Sequence, residues 1–355
     1  MSSSSDSNIS LKRRAFVGAA GAAIAAPFIL IPGRVRASQK PLVLVSWGGL
    51  AAQTIKREWS DPFTQETGIP VIIAEGPDLA KVKAQIQTGN IDWDIVDMPG
   101  SMAMAGARNG FWETVDTHIV DQSKALLPST SHDMVRMYLY PGGAAWGSKH
   151  AAAGKHPVNF PQLFDTAAFP GARALRARVS ETLEMALVGS GVSPKGLYPL
   201  DVERGFRALD QIKPYVRKWA AETAQMTSLL QTGEVDFSYA YNSRIRAAQA
   251  SGIALDMSLA QCTLASIYYC VVKGSKNKEA AMKFINFALR PDRQAAFGNA
   301  MSGIPNTRTA REMMQPSALK WIPNLADPNH IVVDDVYWAT HYDALNARFM
   351  EWMLS

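Results

Sequence analysis

The sequence predicts an α/β protein of two lobes behind a cleavable export signal. Three observations carry this reading: a basic then apolar N-terminal stretch that ends in small residues, a strand–helix alternation directly after it, and a second alternation that begins past residue 170.

The N-terminal stretch has the three parts of a signal. Lys12-Arg13-Arg14 supplies positive charge, Phe16 to Ile31 is apolar, and Val35-Arg36-Ala37 offers a small-residue exit before Ser38. Gly18, Gly21, Pro27 and Pro32 interrupt the apolar part, which makes it a poor membrane span. Paired arginines ahead of Phe16 fit the twin-arginine address, although Lys12 stands where a Ser or Thr is usual. No cysteine lies near the exit, so no lipid anchor is expected. Residues 1–37 hold five of the 36 Lys plus Arg and one of the 31 Asp plus Glu, leaving 31 against 30. The remaining chain is near neutral and has no basic run that would track a phosphate backbone, which argues against nucleic acid.

After the signal, Leu42-Val43-Leu44-Val45 reads as a strand that ends at Ser46-Trp47-Gly48-Gly49 and gives way to helix through Trp59 and Phe63 toward Gly68. Val71 to Ala74 repeats the strand signal and Leu79 to Ile86 the helical one; Ile95 to Met98 is a third strand. Such an alternation builds a mostly parallel sheet, whose loops gather at the carboxyl edge where ligands bind. Tyr140-Pro141-Gly142-Gly143 reads as punctuation, and loop-like material runs to Pro170. A second lobe follows, with helices from Val179, over Asp201–Lys213 and over Glu222–Gln231, and a period-two strand from Val235 to Tyr241. Ser266 to Lys273 is strand-like, Asn277 to Leu289 is an amphipathic helix, and Tyr337 to Leu354 is a terminal helix with an aromatic stripe expected to pack.

The chemistry of catalysis is missing. No GxGxxG, GxxxxGK[ST] or GxSxG occurs, and the six histidines form neither an HExxH pair nor a cluster with Cys262 or Cys270. Asp92, Asp94 and Asp97 read as surface acids flanking the third strand. Cys262 and Cys270, if on one strand, are too far apart for a disulfide and are expected to be free and buried.

Several segments resemble the bacterial extracellular solute-binding proteins of ABC importers. Trp59 to Val71 is similar to their first helix and second strand, Asp94-Ile95-Val96 to their third strand, and Glu279 to Pro291 to their most characteristic helix; Gly303-Ile304-Pro305-Asn306 resembles the turn after it. The spermidine/putrescine-binding branch resembles the chain most closely. The resemblance implies a periplasmic-binding-protein fold, soluble in the periplasm, with two lobes, a hinge and a ligand cleft. It also implies no catalysis and no cofactor, with a small organic solute and the membrane permease subunits as partners. The expected division is 38–142 with 262–312 for lobe 1 and 143–261 with 313–355 for lobe 2.

Matched to the family's pocket, Trp47 and Tyr241 fall at aromatic positions and Glu181 at an acidic one. Arg178 stands where a second acid is expected and Ile267 replaces another; Leu50, Ser101 and Ile304 replace aromatics. The candidate ligand-binding set is Trp47, Gly48, Arg178, Glu181, Tyr239 and Tyr241. Lost acids and a gained guanidinium suit a carboxylate-bearing or amino-acid-like solute better than a dication. Tyr239 and Tyr241 share a strand face, so one can line the cleft while the other packs below it. Tyr268-Tyr269 leaves a ferric-ion alternative, which adjacent strand residues on opposite faces disfavour.

Overall fold

The computed structural model describes residues 40–152 and 154–355; the signal assigned to 1–37 lies outside the described residues. Among the described residues ten strands form one sheet: β1 (Leu42–Ser46), β2 (Val71–Glu75), β3 (Ile95–Pro99), β4 (Val135–Gly147), β5 (Arg173–Arg176), β6 (Val216–Ala220), β7 (Phe237–Tyr241), β8 (Leu255–Val271), β9 (Ile304–Pro305) and β10 (Ile331–Val332). Their order is β2-β1-β3-β8-β4-β7-β5-β6, with β9 on β4 and β10 on β8.

The lobes follow from this order. β1 is parallel to β2 and β3, while β5 is parallel to β6 and β7. Between these parallel sets lie the antiparallel β4 and β8. Val135–Tyr140 of β4 pairs with Ala265–Tyr269 of β8 beside β3, whereas Pro141–Gly147 pairs with Leu255–Leu264 beside β7. Two continuous strands therefore cross from one lobe to the other and form the hinge. Each lobe keeps its own core: Trp59, Phe63 and Phe284 in the first, Phe160, Leu187, Phe237 and Trp338 in the second.

Tyr140 to Gly143 is thus strand, not a break. The glycines serve close approach: a Cβ on Gly142 would lie 1.9 Å from Tyr239 Oη, and one on Gly143 would lie 2.6 Å from the Ser258 carbonyl oxygen. β8 also begins at Leu255, well before the expected Ser266, because Gln261 and Thr263 dilute its apolar signal while sitting buried in the ladder.

Local signals set the other boundaries. The helix Leu79–Thr88 is capped by Asp78, whose Oδ1 accepts from the Ala80 and Lys81 backbone N–H at 2.7 and 3.0 Å, and ends at left-handed Gly89. Asp94 is structural: it accepts from the Val43 N–H at 2.8 Å and the Ser275 hydroxyl at 2.6 Å, tying β1 to the loop after β8. Asp97, expected at the surface, is fully buried. Cys262 and Cys270 are both free, buried and on β8.

The terminal helix Asp335–Leu354 touches both lobes. Its Ala339 carbonyl accepts from Arg108 Nη1 at 2.6 Å, and its Trp338 Nε1 donates to Glu184 Oε1 at 2.7 Å on the helix Val179–Gly189.

Candidate functional site

The parallel strands of both lobes aim their carboxyl ends at one cleft, as open α/β sheets do. Trp47 follows β1 and Pro99 ends β3. Arg176 ends β5 with Arg178 just beyond, Glu222 and Thr223 follow β6, and Tyr241 ends β7 ahead of Ser243 and Arg244. Tyr138, Tyr140 and Ile267, from the crossing strands, complete the floor.

Of the six candidate residues, Trp47, Arg178 and Tyr241 line this cleft. Trp47 stands at its rim, 38% exposed. Gly48 does not line it; its φ of 71° makes the turn, and a Cβ there would sit 2.7 Å from Glu75 Oε2. Glu181 and Tyr239 lie behind the wall, 1% and 0% exposed. The Glu181 carboxylate accepts from the hydroxyls of Tyr239 at 2.5 Å, Tyr241 at 3.0 Å and Tyr140 at 3.2 Å, and from Arg178. Four donors occupy it, so it has no claim on a solute. A backbone φ of 72° places Glu181 in the left-handed region, a cost normally tolerated only where surrounding bonds hold it.

Arg178 is committed in part. Its Nη2 serves Glu181, Tyr140 Oη at 3.2 Å and Tyr241 Oη at 2.8 Å. Burial works against its charge, but Glu181, then Tyr140 and Tyr241, outweigh it and hold the guanidinium's pKa above the usual value. Burial likewise pushes the Tyr241 phenol up to about 12, so it stays a neutral donor.

Two cleft cations escaped the sequence reading. Arg176 donates Nη1 to the Ala221 carbonyl at 2.5 Å and leaves Nε without a partner. Arg244 gives Nε to Thr223 Oγ1 at 3.2 Å; burial lowers its pKa, and nearby Glu222 partly offsets that. Among the described residues neither forms an ion pair. Arg173-Ala174-Leu175-Arg176 and Val216-Arg217-Lys218-Trp219 carry too much charge to read as strands, so β5 and β6 went unrecognised. Their carboxyl ends were the signal that would have found Arg176 and Glu222.

The ferric alternative has no geometry here. Tyr268 Oη donates to Asp335 Oδ2 at 2.8 Å, while Tyr269 packs edge-on to Trp59 with ring centres 5.9 Å apart. The two phenols lie on opposite faces of β8 and cannot meet at one ion.

Fold and cleft define a two-lobed binding protein of the periplasmic-receptor class, with a hinge of two crossing strands. Residues 58–327 match the family described as bacterial extracellular solute-binding protein, and the chain belongs to that family. It is the soluble periplasmic substrate-binding component of an ABC importer, which delivers a small solute to a membrane permease and catalyses nothing. The chain is 31% identical over 328 residues to the gamma-aminobutyric acid-binding protein of Pseudomonas aeruginosa, covering 89% of this chain and 92% of that one. It is 23% identical over 269 residues to the spermidine/putrescine-binding periplasmic protein of Escherichia coli, covering 72% and 76%. Among solved structures, a GABA receptor superposes with a TM-score of 0.81 at 32% identity, over 88% of this chain and 98% of that one. The PBP AgtB from A. tumefaciens R10, in complex with agropinic acid, gives 0.81 at 28%, over 89% and 99%.

Proposed function

We propose that the solute is a small amino-acid-like compound whose carboxylate is held by Arg176 and Arg244. The observation that carries this is the pair of cleft guanidiniums that form no salt bridge among the described residues, facing an aromatic rim. A carboxylate is the group that satisfies a planar guanidinium through paired hydrogen bonds. Glu222, exposed beside Arg244, is placed to meet an ammonium group on the same solute. Trp47 and Tyr241 supply apolar walls to the methylenes between. The Pseudomonas relative, whose name specifies gamma-aminobutyric acid, supports a zwitterion of this size.

A polyamine fits less well. Three guanidiniums line the cleft, and Glu181, the acid matched to that branch, is paired with Arg178 behind the wall. Lobe 1 is assigned 38–142 with 262–312 and lobe 2 the rest of the mature chain, the terminal helix bracing both. Export through the twin-arginine route completes the reading, on the strength of Arg13 and Arg14 ahead of an apolar stretch.

Native mass spectrometry of freshly purified protein tests the solute class, because tightly held ligands co-purify. Titration calorimetry with 4-aminobutanoate and putrescine decides between charges. Tight putrescine binding with no response to any amino acid would overturn the proposal.

A further inference from the structure

The helix Asn242–Ala250 follows β7 directly and belongs to the second lobe, where Ile245 and Ala248 pack with Leu230 and Leu255. The helix Pro291–Met301 belongs to the first lobe, where Phe297 stacks on Trp59 with ring centres 4.4 Å apart. Both reach the cleft: Ser243 and Arg244 line it from one helix and Met301 from the other. Beside the cleft they are joined by polar bonds. Asn242 and Arg246 lie four residues apart, on one face of their helix. Arg246 Nη1 donates to the Asn299 carbonyl at 2.6 Å and to Ser302 Oγ at 2.7 Å. Asn242, 1% exposed, donates Nδ2 to the carbonyls of Ser302 and Trp321, each at 2.8 Å.

The last carbonyls of a helix lack donors within it and sit at its negative end, so a guanidinium is a fitting cap. Here the cap comes from the opposite lobe. Ser302 adds a second sign that the junction has a use. It ends its helix at φ 53° and ψ 23°, in the left-handed region that glycine usually fills at such ends. A serine held there costs backbone energy. What it offers in return is a buried hydroxyl, which Arg246 grips.

We infer that Arg246, Asn242 and Ser302 form a clasp between the lobes and are positioning residues for the solute: the clasp fixes Arg244 against Met301 and so sets how long the solute is held. The inference rests on the reading of this cleft as the solute site. None of the three lines the cleft, so each acts through a neighbour that does. Arg244 shares its helix with the clasp and reaches the first lobe's Gly48-Gly49 turn, where a Cβ on Gly49 would lie 3.7 Å from its Nη1. Met301 directly precedes Ser302. Hinge opening draws Arg244 and Met301 apart and breaks the clasp in the same motion.

Ser302→Gly is the decisive variant, because it deletes the hydroxyl while relieving the backbone, so the urea midpoint of the solute-free protein holds or rises. Arg246→Ala removes the bond to the Asn299 carbonyl as well. The probe is whichever of 4-aminobutanoate and putrescine binds in calorimetry, since the clasp touches neither, and the choice between them bears on the solute proposal alone. Stopped-flow mixing is expected to show release faster by roughly tenfold in Ser302→Gly, the effect of losing one charge-assisted hydrogen bond, and faster still in Arg246→Ala. Association should hardly change, because the clasp closes after encounter. A second arm needs no solute. Spin labels placed through Lys195→Cys on the second lobe and Lys283→Cys on the first, both exposed, report lobe separation by pulsed electron paramagnetic resonance, with Cys262 and Cys270 buried. The share of short separations should fall in both variants. Release at the unmodified rate in both variants overturns the inference, and if neither probe binds, separations unchanged in both variants overturn it.

Discussion

At the scale of single residues, the three cleft arginines divide by what their charge already meets. Arg176 and Arg244 form no salt bridge among the described residues, whereas Arg178 is locked to Glu181. Replacing Arg176 or Arg244 with alanine is expected to weaken solute binding by about 2 kcal/mol or more, roughly 30-fold in Kd, while stability shifts little for Arg244 and falls for Arg176, which is buried and bonds the Ala221 carbonyl. Calorimetry and chemical denaturation together check both halves. Arg178→Ala should behave in the opposite sense. It strands the Glu181 carboxylate, which is 1% exposed, with phenol donors alone. Removing one member of a buried pair costs about 3–5 kcal/mol, visible as a lowered urea midpoint. Glu181→Gln, which leaves no buried anion, should cost less. If Arg178→Ala unfolds like the unmodified protein, Glu181 is not the committed acid described above. These roles were half legible in the sequence. Trp47 and Tyr241 follow strands that periodicity reveals, so their place at the cleft could be read. Glu181 could be matched to a pocket position, but its burial depends on Tyr140, Tyr239 and Arg178 converging from three elements, which no local pattern records.

At the scale of elements, the hinge shows why turn chemistry misled. Pro141-Gly142-Gly143 has the composition of a turn, yet it runs through the middle of β4. Glycine at 142 makes room for the Tyr239 ring that reaches Glu181. Gly142→Ala is therefore expected to displace Tyr239 and to destabilise by about 1–3 kcal/mol, the usual cost of overpacking, with the loss read from denaturant unfolding. The partner substitution Tyr239→Phe separates the causes. It removes the hydroxyl, the nearest atom the new methyl would strike, so Gly142→Ala should cost somewhat less in that background, although ring carbons Cζ and Cε2 still lie 2.2 and 2.7 Å from the new Cβ. Equal costs in both backgrounds would show that the clash is not with Tyr239 Oη. The short strands β1, β2, β3 and β7 were readable because each is an apolar or alternating run closed by a loop. β5 and β6 were not, because the charged side chains that serve the cleft and its rim occupy the same few residues that must signal a strand.

At the scale of the whole molecule, the two-lobed architecture was legible because βα alternation occurs twice, but the acids buried between layers were not. Asp97, Glu184 and Asp335 are raised by burial to about 7, about 7 and about 6, from ordinary values near 4. Hydrogen bonds from Ser46, from Tyr198 and Trp338, and from Tyr268 oppose burial in the three cases without overcoming it. The sign follows from proton linkage. Between the unfolded and folded values the folded chain binds more protons, so stability falls as pH rises through that window. Asp236 runs the other way: its bonds to His150, the Ala172 N–H and Lys149 outweigh burial and lower it to about 2. Its contribution is complete above pH 4 or so and changes only in stronger acid. The protein should therefore be more stable at pH 5 than at pH 8, by on the order of 1–2 kcal/mol for each raised carboxyl. Urea midpoints measured at the two values check it. Asp97→Asn and Glu184→Gln should each flatten the dependence, chiefly by raising the midpoint at pH 8. A midpoint that rises from pH 5 to pH 8 would mean these carboxyls stay ionised inside the fold, and the Glu184 bond to Trp338 would then be an ionic brace on the terminal helix at every physiological pH.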